Sequence, residues 1–188
     1  MAQARTLKEK ELKQLLSHIT LYRHALRNRC ALLMTHWAGM RVGEVAALRY
    51  ADALAPDGSI LAEIRLSAQQ TKGDKARVVY VAEKLRKELL NYVRTYPQSD
   101  PTRPLFYTQK RDHFTANTLA QHFFWLYRAA GFGGASSHTG RRTFITTLAN
   151  KGVGIRVLQQ LSGHADIQTT ARYIETSDAM KRAAVELV

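Results

Sequence analysis

The chain has 188 residues, 45% hydrophobic and 23% charged, a composition that gives a folded protein a substantial core and excludes wholesale disorder. Twenty-eight Lys and Arg against fifteen Asp and Glu leave a formal charge of +13, which favours a polyanionic partner, nucleic acid before an anionic membrane. The single cysteine, Cys30, excludes an intrachain disulfide or a cysteine-based zinc site and suits a reducing cytosol; the first ten residues lack the apolar core of a secretory signal, and no run approaches the roughly 18 apolar residues of a membrane span.

Thr6 and Glu9 form a Thr-x-x-Glu pair, which predicts a capped helix start and a first helix from about Leu7 to His18. A second helix, from about Tyr22 to Trp37, carries Leu26, Cys30, Leu33, Met34 and Trp37 on one face and stops at Gly39. A third starts around Val42–Gly43 and runs through Leu48. After the turn Pro56-Asp57-Gly58 the period changes to two. Ile60, Ala62, Ile64 and Leu66 alternate with Leu61, Glu63, Arg65 and Ser67, and Arg77 to Val81 resumes β character beyond the polar Lys72-Gly73-Asp74-Lys75. This predicts a small antiparallel sheet over about 58–81, with a hairpin whose tip is basic. Helical spacing returns with Leu85, Leu89, Tyr92, Val93 and Tyr96 before Pro97, and again with Leu119, Phe123, Leu126, Tyr127 and Ala130 before Gly131. Short helices are expected over Thr139–Asn150, Ile155–Leu161, Ile167–Tyr173 and about 177–187. With no repeat or low-complexity linker, the fold class is mainly α with a small antiparallel β-sheet (α+β), a single domain over 1–188.

Three segments hold candidate chemistry. Arg41-Val42-Gly43-Glu44 lies between a glycine stop and a helix start, where an arginine can meet an anion together with free backbone N–H groups. Taken alone, it reads better as a surface i, i+3 ion pair, worth only about 0.2–0.5 kcal/mol. His138-Thr139-Gly140-Arg141-Arg142 puts two cations on the first turn of a helix whose dipole favours anions there. An external phosphate and an exposed basic turn explain that pattern equally well. Leu161-Ser162-Gly163-His164 closes a helix, and Tyr173 follows nine residues later; such a tyrosine is usually a core-rim residue, but nearby cations would ease phenolate formation. His138 and His164 have no third metal ligand at usual spacing, and His18, His24, His36, His113 and His122 read as surface or packing residues. Neither a phosphate-binding Gly-Lys loop nor a serine-hydrolase elbow is present, so no metal, ATP or other cofactor is expected.

Taken in order, Gly39-Met40-Arg41-Val42-Gly43-Glu44-Val45-Ala46-Ala47-Leu48, Thr71-Lys72-Gly73, His138-x-x-Arg141, and Leu161-Ser162-Gly163-His164 with Tyr173 resemble the catalytic domain of tyrosine recombinases, the phage-integrase family. The resemblance runs from about Thr6 to the final helix. It implies that domain's fold and a site-specific recombinase that cleaves and rejoins double-stranded DNA through a 3′-phosphotyrosyl intermediate. The alternatives are a type IB topoisomerase-like relaxing enzyme and a non-catalytic DNA-binding regulator on the same fold. Carried over by position, the catalytic residues are Arg41, Lys72, His138, Arg141, His164 and the nucleophile Tyr173, with Glu44 supporting Arg41. Lys75 is the alternative to Lys72, and the i+3 spacing selects Arg141 over Arg142. The resemblance further implies a tetramer on paired sites, joined through the C-terminal helix, an accessory DNA-bending protein, and no membrane partner. The implied setting is cytoplasmic and nucleoid-associated, of bacterial, phage or plasmid origin. Because the first family-like helix begins near Thr6, no N-terminal core-binding domain is expected within these residues, which are either a minimal recombinase or a catalytic fragment of a longer protein. Gly140 stands where the family often has leucine and is expected to loosen that helix start.

Overall fold

The computed structural model describes residues 4–71, 75–108, 113–174 and 178–186. The chain divides into two compact units, Met1–Phe144 and Ile145–Val188.

The first unit opens with α1 (Glu9–Ile19), which buries Leu12, Leu15, Leu16 and Ile19 along one stripe. Its cap differs from the Thr6/Glu9 expectation. The Lys8 amide donates to Glu11 Oε2 at 2.7 Å, two residues later than predicted, and the Leu7 amide donates to Thr143 Oγ1 at 3.0 Å. A turn over residues 20–24 delays α2 to Ala25–Trp37. This helix is buried on nearly every side rather than on one face: Ala31, Leu32, Thr35 and His36 are covered along with Cys30, Leu33 and Met34. It packs against α1 and the later α3 (Val42–Ala46) and α5 (Glu83–Thr95), and a helix enclosed by neighbours loses its polar face. α3 stops before Leu48, whose carbonyl accepts the Leu105 amide at 2.8 Å. The single-turn α4 (Tyr50–Ala53) follows.

The period-two segment forms β1 (Glu63–Leu66), paired antiparallel with β2 (Arg77–Tyr80) in the register Glu63↔Tyr80, Ile64↔Val79, Arg65↔Val78 and Leu66↔Arg77. Ile64, Leu66 and Val79 face the core while Glu63 and Arg65 face outward, the alternation a half-buried strand requires. Ile60 belongs instead to an isolated bridge with Leu54, and a short 3₁₀ turn, Ala68–Gln70, separates the strands. α5 buries Leu85, Leu89, Tyr92 and Val93, and α6 (Ala116–Ala129) buries Leu119, Phe123, Leu126 and Tyr127, each set at helical spacing as predicted. α7 (Thr139–Asn150) starts in this unit and ends in the next.

The second unit adds α8 (Ile155–Ser162), closed by Gly163 in the left-handed region at φ 60°, then α9 (Ile167–Ala171) and α10 (Asp178–Val185). α9 stops two residues short of the expected Tyr173. Among the described residues no helix is long and apolar enough to cross a membrane.

Candidate active site

In the first unit the site is built on the exit from α2. Gly39 takes φ +64°, and a Cβ placed there would lie 2.4 Å from Phe144 Cδ1 on α7. Both the backbone conformation and the approach of that ring therefore demand glycine. Two residues on, Arg41 is the N-cap residue of α3 in extended backbone (φ −72°, ψ 149°). Its amide donates to Glu44 Oε2 and its Nη1 to Glu44 Oε1, each at 2.8 Å.

The expectation of a weak surface pair does not hold, because Glu44 is only 1% exposed. A second guanidinium completes it. Arg77, the first residue of β2, donates from Nε to Oε1 at 3.1 Å and from Nη2 to Oε2 at 2.7 Å. Burial by itself would raise the Glu44 pKa; the hydrogen bonds and charge of Arg77, then the amide and guanidinium of Arg41, outweigh it and hold the carboxyl below its ordinary value. Sequence reasoning assigned Arg77 only to a strand. The available signal was phase: Arg77 is in step with Val79 of β2 and with Val81 just beyond it, both buried, and an arginine on the inward phase of a strand needs a carboxylate.

α7 brings the second arginine to the same loop. Arg141 is 5% exposed and donates from Nη1 to the Gly39 carbonyl at 2.7 Å, so its guanidinium is anchored two residues before Arg41. Arg142 donates instead to the Ala4 carbonyl at 3.0 Å. His138 immediately precedes α7 and is exposed; its carbonyl accepts the Arg142 amide at 2.9 Å and its own amide donates to Ser136 Oγ at 3.3 Å.

Gly140 does not loosen this turn. A Cβ there would lie 2.0 Å from Thr35 Oγ1 and 2.9 Å from His36 Cδ2, so the glycine lets α7 seat directly on α2. Behind it, His36 Nε2 and the Tyr127 hydroxyl form a buried hydrogen bond of 2.8 Å. Burial pushes His36 down to about 3 and Tyr127 upward.

Lys72 lies outside the described residues. The alternative, Lys75, is exposed, and its carbonyl accepts Thr71 Oγ1 at 2.8 Å.

The second unit holds the other two candidates. The left-handed Gly163 lets the chain turn so that the His164 amide reaches the Gln159 carbonyl at 3.2 Å. His164 Nδ1 hydrogen-bonds Thr170 Oγ1 at 2.9 Å, which fixes the ring. Tyr173, held by its amide on the Thr170 carbonyl at 3.0 Å, stacks on that ring with centroids 5.8 Å apart and planes 17° from parallel. The nine-residue spacing thus brings imidazole and phenol face to face. Among the described residues no three His, Cys, Asp or Glu side chains are grouped to hold a metal.

The sequence profile of the phage integrase family matches residues 5–180. The tyrosine recombinase XerA of Pyrococcus furiosus is 28% identical over 185 residues, covering 97% of this chain and 61% of the relative. The crystal structure of XerA recombinase superposes with a TM-score of 0.78 at 27% identity, over the whole of this chain and 64% of that one. The site-specific recombinase XerH, bound to its difH substrate in a pre-cleavage complex, gives a TM-score of 0.69 at 26% identity, over 96% of this chain and 53% of that one. The chain therefore spans about three-fifths of the length of the XerA relatives it matches.

Proposed function

The chain belongs to the phage integrase family, and from that membership we propose that it is a site-specific DNA recombinase whose residues 1–188 act as one catalytic domain. The observation that carries the proposal is the anchoring of Arg141 on the Gly39 carbonyl, beside an Arg41 held by the buried Glu44. Two guanidiniums held against one loop suit the non-bridging oxygens of a phosphodiester, because each can donate two parallel hydrogen bonds.

In the reaction, the Tyr173 phenol oxygen attacks phosphorus in line as its proton leaves, with His138 assisting that transfer. The P–O5′ bond breaks and the departing 5′-oxygen takes a proton from Lys72, or from Lys75 in the alternative reading. Arg41, Arg141 and His164 stabilise the extra charge on the non-bridging oxygens, each donor contributing about 2.7–4 kcal/mol in the transition state. The phosphotyrosyl link keeps the energy of the phosphodiester, so a second 5′-hydroxyl reseals the strand by the reverse steps. The partner is double-stranded DNA, bound by a tetramer on paired sites and joined through the C-terminal helix, with an accessory DNA-bending protein assisting. The setting is the cytoplasm of a bacterium, on chromosomal, phage or plasmid DNA.

The test is a nicked suicide duplex drawn from sequence flanking the gene. Wild-type protein should form an adduct stable to SDS, and Tyr173→Phe should form none while still binding the DNA. Relaxation of supercoiled plasmid by monomer without paired sites would replace recombination with topoisomerase activity. Tight binding to a flanking site with no adduct would leave a DNA-binding regulator.

A further inference from the structure

The Glu44 cluster joins two guanidiniums to one carboxylate, and the two are not equivalent. Arg77 is mostly covered, its side chain 9% exposed, and grips Glu44 with both Nε and Nη2. Arg41 is 26% exposed and reaches the same carboxylate through Nη1. The trio carries a formal charge of +1. If Arg77 were neutral, Glu44 and Arg41 would cancel each other and the outward-facing guanidinium would be half of a neutral pair.

We propose that Arg77 is a positioning residue that neutralises Glu44, so that Glu44 orients Arg41 without consuming the charge Arg41 offers to a phosphate. This rests on the recombinase reading for its substrate, and it assigns a residue that the arginine, histidine and tyrosine motifs leave out. Arg41 keeps a local tether, since its own amide also donates to Glu44. Loss of Arg77 therefore changes the electrostatics of the loop more than its backbone. Charge balance makes a distinctive demand: removing the charges of Arg77 and Glu44 together restores the net +1 that removing Arg77 alone abolishes.

The experiment compares wild type, Arg77→Gln, Arg77→Lys and the double variant Arg77→Gln/Glu44→Gln in two assays. The first is the salt dependence of binding to a nicked duplex. Each neutralised phosphate adds about 0.9 to the log–log slope, so Arg77→Gln should lose about one such increment, and Arg77→Lys and the double variant should keep it. The second is formation of the SDS-stable adduct, where Arg77→Gln should be slower by about tenfold or more and the double variant faster than Arg77→Gln. A structural role alone changes the rate of adduct formation without changing the salt slope, so the slope is the readout that separates the two.

An unchanged slope in Arg77→Gln, or a double variant no better than the single one, overturns the proposal. Should Arg77→Gln not fold, Arg77→Lys and the double variant decide: a wild-type slope in both supports charge balance, and a reduced slope in either overturns it. Absence of an adduct with wild type defeats the recombinase reading, while the binding slopes still judge Arg77.

Discussion

Replacing Gly140 with alanine sets two effects of opposite sign against each other. Helix propensity favours alanine by at most about 1 kcal/mol, and on that ground alone Gly140→Ala should stabilise α7. The packing says otherwise. The new Cβ would lie 2.0 Å from Thr35 Oγ1, 2.8 Å from Thr35 Cβ and 2.9 Å from His36 Cδ2. Thr35 is fully buried and its hydroxyl donates to the Leu32 carbonyl at 2.7 Å, while His36 is held by Tyr127. Neither neighbour can yield without breaking a buried hydrogen bond, and Thr35, the nearer of the two, must give up its own to make room. Overpacking of this kind costs about 1–3 kcal/mol, and the lost threonine bond adds about 1 kcal/mol. The net expectation is destabilisation by about 1–3 kcal/mol, read as a lower urea midpoint at unchanged slope. Combining it with Thr35→Ala removes the 2.0 Å contact but leaves the 2.8 Å one. The pair should therefore be less destabilised than the sum of the singles by about 1 kcal/mol. A Gly140→Ala protein as stable as wild type refutes the argument.

Two further outcomes follow from buried titratable groups. Glu44→Gln breaks a buried cluster and should cost about 3–5 kcal/mol at pH 7. The Glu44 carboxyl titrates lower in the fold than its ordinary 4.5, so its stabilisation is complete above that value and is lost as pH falls through the lowered one; urea midpoints of wild type and variant should converge in acid, and a gap that stays constant from pH 7 to 3 counts against the ionised cluster. His36, pushed down to about 3 from 6.5, should show no NMR titration between pH 8 and 4. Because the unfolded chain takes up this proton first, stability is full above 6.5 and declines as pH falls toward 3; a midpoint near 6.5 would mean the His36–Tyr127 pair is not buried.

Local patterns were legible where one face of an element met the core. The alternation of Ile64 and Leu66 with Glu63 and Arg65 located β1, and Thr139 and Asn150 bound α7 where spacing placed them. The arginine pair, the histidine and the tyrosine were readable as motifs. Patterns failed where distant contacts decided the outcome. The α1 cap fell two residues late, just after Leu7 is tied to the distant Thr143. α2 lost its predicted polar side because helices surround it. Gly140 looked like a weakness because it departs from the family's leucine, whereas its meaning lies in Thr35, more than a hundred positions away. Arg77 was missed as a site residue because its partner Glu44 sits on another element, although its inward phase on β2 was a signal.

The closeness of Phe144 to Gly39 limits how this arrangement can be transplanted. Arg141 and Phe144 are one helical turn apart, and both close on the same backbone, one through its carbonyl and the other against its missing side chain. Grafting only the two arginines onto an unrelated scaffold would leave the second without its berth. The portable unit is a loop glycine together with a helix that presents a guanidinium and, three positions later, an aromatic ring.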